Sequence, residues 1–176
     1  PAVFERDIAV THASIVLADS VAEWTLAMML MALRKVHTVD RAMQAGDPWP
    51  KYREWAPSEL FHKRVGIIGA SMVGRLVIEL LRPFKAEVVV YDPYLSDERA
   101  AELGVERVDL DELMSTSDVI SNHAPSTDET DGMVTSQHWS SVKDGAVFVN
   151  TGRAAAVDHD ALLRELQTRR ITAALD

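Results

Sequence analysis

The stretch Val65-Gly66-Ile67-Ile68-Gly69-Ala70-Ser71-Met72-Val73-Gly74 decides how the rest of the chain is read. An apolar run suited to a buried strand enters a glycine turn, and a helical pattern follows from Met72 to Leu81. The turn nearly matches G-x-G-x-x-G, the fingerprint of dinucleotide-binding βα units. In that pattern Gly69 allows the tight turn and Gly74 lets the helix pack closely on the strand. The helix start offers unpaired amides and a positive dipole end to a pyrophosphate. The middle position, normally glycine where the backbone approaches the phosphates, is Ser71. Its hydroxyl either donates to a phosphate oxygen or, with its Cβ, weakens binding.

Working outward, short apolar runs alternate with helical segments from residue 64 onward. The runs are Val65 to Ile68, Val88 to Tyr91, Val119 to Ser121, Ala146 to Val149 and Ile171 to Leu175. Helical stretches lie between them at Met72 to Leu81, Ser96 to Leu103, Leu110 to Ser115, Thr135 to Ser140 and Asp158 to Thr168. Runs apolar on both faces and separated by helices predict a parallel sheet covered on two sides. The fold class is therefore α/β, a doubly wound, Rossmann-type parallel sheet. The second run ends at Tyr91-Asp92, 18 residues past Gly74. A carboxylate at that spacing accepts from both ribose hydroxyls and repels a 2′-phosphate, which favours NAD over NADP. Asp92 also suits a turn before Pro93, and the two roles are compatible.

Upstream, Ser20-Val21-Ala22-Glu23 reads as a capping box opening a long N-terminal helix that runs to about Met43. Its first half is apolar nearly all round, which predicts burial on most sides, inside the domain or against a second subunit. Ile8 to Thr11 reads as a short strand. Residues 46–58, with three prolines and Trp49, Tyr52 and Trp55, read as an extended packed arm. The expected organisation is a segment 1–19 leading from another domain, then a dinucleotide-binding domain over 20–176. Because residue 1 is proline, the chain is expected to be part of a longer gene product.

Composition narrows the function classes. The 176 residues carry 18 basic and 27 acidic side chains, a formal charge of −9, and 47% are hydrophobic. A nucleic-acid partner is not expected, since phosphate contacts need clustered Lys and Arg. The absence of cysteine excludes disulfides, thiolate zinc sites and a Cys nucleophile. The longest uncharged apolar stretch near the N-terminus, Trp24 to Leu33, is short of the roughly 20 residues a bilayer needs, so no membrane is expected. No secretory leader opens the sequence, and a cytoplasmic setting fits. No His or acidic cluster suggests a metal.

Six strings stand in one order: Ser20 to Glu23, Val65 to Gly74, Tyr91-Asp92-Pro93-Tyr94, Asn122-His123-Ala124-Pro125, Asn150-Thr151-Gly152-Arg153 and Ala174-Leu175-Asp176. Together they resemble the D-isomer-specific 2-hydroxyacid dehydrogenases, over roughly residues 7–176. The resemblance implies a nucleotide domain inserted into a substrate domain, and a homodimer packed through the helix from Ser20. It implies that Met72 and Val73 present amides to the pyrophosphate, and that Pro125 and Thr130 lie beside the adenosine and nicotinamide ribose. Thr151 and Gly152 belong to the motif it sets against the cofactor, and Asp176 matches the carboxylate that meets the nicotinamide carboxamide. Arg153 matches the arginine that grips the substrate, which makes it the one catalytic side chain implied for this chain. A guanidinium forks onto a carboxylate and polarises the adjacent carbonyl. On pattern alone it could equally be a surface ion-pair partner.

The reaction implied is reversible hydride transfer between NAD(H) and a 2-hydroxy or 2-keto acid. In the family, the histidine that protonates the carbonyl oxygen and its partner glutamate lie beyond the position of Asp176. Of the six histidines, His12, His37, His62, His123, His138 and His159, none stands at the acid's position. His123 falls at a strand end beside the expected nicotinamide site. It is either site-lining or a satisfied structural histidine. Ala154 stands where the family usually has glycine, and with Ser71 it makes two altered glycines. They leave open a non-catalytic, NAD-responsive binding or dimerisation module of the same superfamily. An NADP-dependent reductase of another Rossmann type is disfavoured by Asp92 and by the absence of an adjacent arginine.

Overall fold

A computed structural model describes residues 14–49 and 56–176. The apolar runs become six parallel strands: β1 (Arg64–Ile68), β2 (Glu87–Tyr91), β3 (Glu106–Arg107), β4 (Val119–Asn122), β5 (Val147–Asn150) and β6 (Thr172–Leu175). They stand in the order β3-β2-β1-β4-β5-β6, so the chain reverses direction of travel between β1 and β4. Doubly wound sheets bind ligands in the crevice outside the carboxyl ends at such a reversal. Strands β4 and β5 are buried along their whole length. This is why Val119-Ile120 and Val147-Phe148-Val149 are apolar on both faces and do not alternate, with buried polar residues only toward the carboxyl ends.

Helices cover both faces. On one face lie α1 (Ser14–Leu33) and α3 (Met72–Leu81), packed on a core that includes Met29, Ile67, Val77, Leu81, Val90 and Val149. On the other lie α5 (Leu110–Thr116), α6 (Ser136–Ser141) and α7 (His159–Gln167) over Ile68, Leu113, Ile120, Trp139, Phe148 and Leu162. Trp139 and Phe148 meet edge to face at 4.8 Å. The remaining helices are α2 (Val36–Gln44) and α4 (Asp97–Leu103). Polar caps start several of them, with Ser96, Asp109 and Asp158 each accepting an amide of the first turn.

The N-terminal helix departs from expectation in three ways. It starts at Ser14, and Ser20 lies inside it. Ala18 continues the buried stripe of Ala22, Thr25, Met29 and Ala32 one turn upstream, and that burial outweighs a local capping signal. It also ends at Leu33. Lys35 takes a left-handed conformation (φ 52°) before α2 begins, and the Leu33 carbonyl is captured by the amide of Ser58 at 2.9 Å. Finally, only one stripe is buried. Leu17 and Met31 on the opposite side are 58% and 37% exposed. By length and composition Val16–Leu33 suffices to cross a membrane, although its inner stripe is packed on the domain.

Strand β3 was not expected. Its two residues, Glu106 and Arg107, are exposed and pair with Val89 and Val90 at the sheet edge. Trp49, in the segment read as a packed arm, is largely exposed, while Tyr52 and Trp55 lie outside the described residues, as does the strand expected at Ile8 to Thr11.

Candidate functional site

Strand register builds the site. Tyr91, Ile68, Asn122, Asn150 and Leu175 stand side by side as the last residues of β2, β1, β4, β5 and β6. The residue after each is therefore delivered to one line along the carboxyl edge: Asp92, Gly69, His123, Thr151 and Asp176. Five of the residues singled out from sequence thus share one edge because the strands end flush.

At the β1–α3 turn, Gly69 adopts φ +89°, the left-handed region that favours glycine. A Cβ there would come within 3.0 Å of the Ala124 backbone. Gly74 is held tighter still, since a Cβ would fall 2.2 Å from the Gly69 carbonyl oxygen. Ser71 has an extended backbone (φ −64°, ψ −179°) open to any residue. Its Oγ accepts the Gly74 amide at 3.3 Å and so caps α3. The hydroxyl's own proton is not used in that bond and can be offered to a ligand. The amides of Met72 and Val73 lie in the first helical turn, which has no intrahelical acceptors.

Asp92 closes the turn from the neighbouring strand. Its Oδ2 accepts the Ala70 amide at 2.8 Å and its Oδ1 accepts the Tyr94 amide at 2.8 Å. Each oxygen keeps a lone pair for a further donor. A cleft of about 400 Å³ opens here, lined by Gly69, Ser71, Asp92, Pro125 and Thr130. This lies within the range of small-molecule sites. Thr130 organises the far wall, donating to the Pro125 carbonyl at 2.6 Å and accepting the Thr127 amide at 2.9 Å. Across the mouth, the Tyr94 hydroxyl donates to Glu129 at 2.5 Å, and that bond with its negative partner raises the phenol pKa above its usual value. Arg75, one turn into α3, also lines the cleft, whereas the positions next to Asp92 are Pro93 and Tyr94.

Arg153, Thr151, Gly152 and Asp176 do not line this cleft and stand further along the edge. Arg153 is exposed, and no carboxylate pairs with it among the described residues. Ala154 begins a turn of 3₁₀ helix and its side chain is exposed, so the methyl group meets no obstruction there. His123 is buried, with Nε2 2.9 Å from Ser121 Oγ and Nδ1 3.0 Å from Thr151 Oγ1. Burial lowers its pKa to about 4, so the ring is neutral at pH 7.

Two residues that matter were not marked from sequence. Asn150 Oδ1 accepts both Asn122 Nδ2 and the Gly152 amide at 3.0 Å, and Asn122 Oδ1 accepts the Ala124 amide at 3.2 Å. This buried pair locks the β4 and β5 loops together. The available signal was an asparagine at the same end of two buried strands.

A six-stranded sheet in this order, with a glycine turn at the helix start and a carboxylate ending the next strand, defines a dinucleotide-binding domain of the doubly wound class. A family model described as D-isomer specific 2-hydroxyacid dehydrogenase, NAD binding domain, matches residues 26–176, and the chain belongs to that family. It is 36% identical over 169 residues to D-3-phosphoglycerate dehydrogenase of Mycobacterium tuberculosis, covering 96% of this chain and 32% of that protein. D-lactate dehydrogenase of Aquifex aeolicus, complexed with NAD and lactic acid, superposes with a TM-score of 0.86 at 32% identity, over 99% of this chain and 52% of that one. An acyclic imino acid reductase in complex with NADPH and D-Arg gives 0.88 at 30% identity, over 99% and 56%. The chain thus spans between a third and rather more than half of these relatives.

Proposed function

We propose that this chain is the NAD-holding part of an enzyme that moves a hydride between NAD(H) and a D-2-hydroxy acid or its 2-keto acid. The observation that carries the proposal is Asp92, fixed beside the Gly69–Gly74 turn with acceptor capacity to spare and no cation in the positions next to it. When bound, NAD supplies the nicotinamide carbon that gives or takes the hydride. The chain's own residues do the holding. Met72 and Val73 offer amides to the pyrophosphate, with Ser71 as a further donor. Gly69 and Gly74 keep that approach open. Asp92 takes the adenosine ribose, and Pro125 and Thr130 shape the opposite wall. Thr151, Gly152 and Asp176 face the nicotinamide end, behind which His123 is packed. Arg153, exposed and with no carboxylate partner among the described residues, receives the substrate carboxylate and draws charge from the neighbouring carbonyl.

On this reading residues 1–19 lead in from a substrate domain, and the protein works in the cytoplasm without a membrane or nucleic-acid partner. It is a homodimer through α1. Leu17, Val21, Trp24, Met28 and Met31 follow one another at helical spacing along the flank of the buried stripe, with Leu17 and Met31 exposed and Trp24 and Met28 half-buried against the core. Isothermal titration tests the cofactor. NADH binds and NADPH binds at least tenfold more weakly, and equal affinity for the two would remove the role given to Asp92.

A further inference from the structure

The cleft beside the Gly69–Gly74 turn is short of positive charge. Its charged lining residues are Arg75, Asp92 and Glu129, one cation against two carboxylates. A dinucleotide brings further negative charge at its diphosphate. The start of α3 offsets that only in part, because a helix terminus carries about half an elementary charge. Arg75 is the lining residue able to supply the rest.

Its placement suits the task. The Arg75 amide donates to the Ser71 carbonyl at 3.0 Å, so Arg75 stands one turn above the residue that caps α3. Helical side chains lean toward the N-terminus and cover the turn before their own. A long side chain here is therefore directed back over the turn that carries the Met72 and Val73 amides. The arginine also borders a shallow groove that includes Asp19 and Glu79. Neither carboxylate pairs with it, and no ion pair among the described residues includes Arg75. Glu79 stands four residues on, with the cation first, which is the weaker order for a helical ion pair. Nor does α3 carry an acidic residue in its first turn. The guanidinium thus sits near the positive end of a helix without a counter-ion, an unfavourable arrangement that an anion at the helix start would relieve.

We infer, resting on the cofactor reading proposed above, that Arg75 is the counter-charge for the dinucleotide diphosphate. Its guanidinium forks onto phosphate oxygens while the Met72 and Val73 amides hold the others. Both nicotinamide dinucleotides carry the diphosphate, so Arg75 sets how tightly either binds. Asp92, at the ribose, sets the choice between them.

Titration calorimetry of the chain with NADH and with NADPH reads the assignment. Arg75 is exposed, so Arg75→Met removes the charge without opening the core. It weakens NADH roughly tenfold, the loss of one charge-assisted contact, and weakens NADPH by the same factor. Arg75→Lys keeps the charge but not the fork and recovers part of the loss. Raising sodium chloride from about 0.05 to about 0.5 M weakens NADH binding to the wild type more steeply than to Arg75→Met, because salt screens the ionic contact. An Arg75→Met variant that binds NADH as tightly as the wild type, with the same salt dependence, overturns the inference and leaves the cofactor reading standing. A loss confined to NADPH also overturns it, since the guanidinium would then serve a 2′-phosphate. A wild type that binds neither dinucleotide strikes the cofactor reading and this inference together.

Discussion

The carboxylate of Asp92 accepts the backbone amide of Ala70 at 2.8 Å, so the side chain assigned to the ribose also holds the turn assigned to the pyrophosphate. The other oxygen holds the Tyr94 amide. Two effects follow from one substitution and can be separated. Asp92→Ala leaves two amides without their charged acceptor and lowers stability by about 1–3 kcal/mol in urea denaturation. Asp92→Asn keeps one acceptor oxygen and costs less. Both weaken NADH binding about tenfold or more by titration calorimetry, and both narrow the gap to NADPH. An Asp92→Asn variant that still rejects NADPH would show that the discrimination comes from elsewhere in the cleft.

Ser71 is where the chain departs from the glycine pattern, and its geometry says the departure is benign. Its backbone is extended, with no need of glycine, and its hydroxyl caps α3. Ser71→Ala loses the cap and costs about 1 kcal/mol, whereas Ser71→Gly costs a few tenths. The NADH dissociation constant of Ser71→Gly stays within about threefold of wild type, under 1 kcal/mol of binding free energy. A glycine variant that binds tenfold more tightly would mean that the serine obstructs the dinucleotide.

What could be read ahead of the structure, and what could not, divides along physical lines. Helix Met72–Leu81 falls at its expected ends because a glycine turn and a sharp change of period mark both sides. The long strands are legible because burial on two faces demands an apolar run. The edge strand Glu106–Arg107 has no such demand. Its residues are charged and exposed, and only backbone pairing to Val89 and Val90 makes it a strand. The break at Lys35 carries no glycine and depends on a bond from Ser58, distant in sequence. In the site, residues delivered by motif (Gly69, Asp92, Thr151) could be named one by one. The contact of Thr25 with Thr151 could not, because it joins residues 126 apart and no periodicity announces it.

The outer stripe of α1 predicts an assembly. Trp24 and Met28 lie on it half-buried, packed in part against the core, and the exposed Leu17 and Met31 extend it. A charge at the exposed end of that stripe, at Met31, avoids the packed core and opposes burial against a second copy. Sedimentation of the wild type gives a dimer, and Met31→Glu shifts it to monomer while the unfolding transition of the domain core persists. A wild-type monomer at tens of micromolar would remove α1 as the dimer helix in this chain.

His123 makes stability depend on pH with a definite sign. Its folded pKa, pushed down to about 4 by burial, lies below the ordinary histidine value near 6.5. Above 6.5 neither the folded nor the unfolded chain protonates the ring, and the group has no pH-dependent effect. Between 6.5 and 4 the unfolded chain takes up a proton that the folded one refuses, so stability falls as pH falls, by up to about 3 kcal/mol at the lower end. Below 4 both states are protonated and this contribution levels off. The surroundings explain why the folded ring resists: Ser121 and Thr151 offer hydroxyls and no carboxylate to a charged imidazolium. Urea denaturation of wild type and His123→Asn across pH 7.5 to 4.5 isolates the effect from carboxylates that titrate in both. The variant is the less stable at pH 7.5, because the bonds to Ser121 and Thr151 are disturbed, and the gap between the two closes as the pH drops. A constant gap, or a His123 ring signal that titrates near 6.5 by NMR, would show that the ring is open to water and that the bonds drawn around it do not hold in solution.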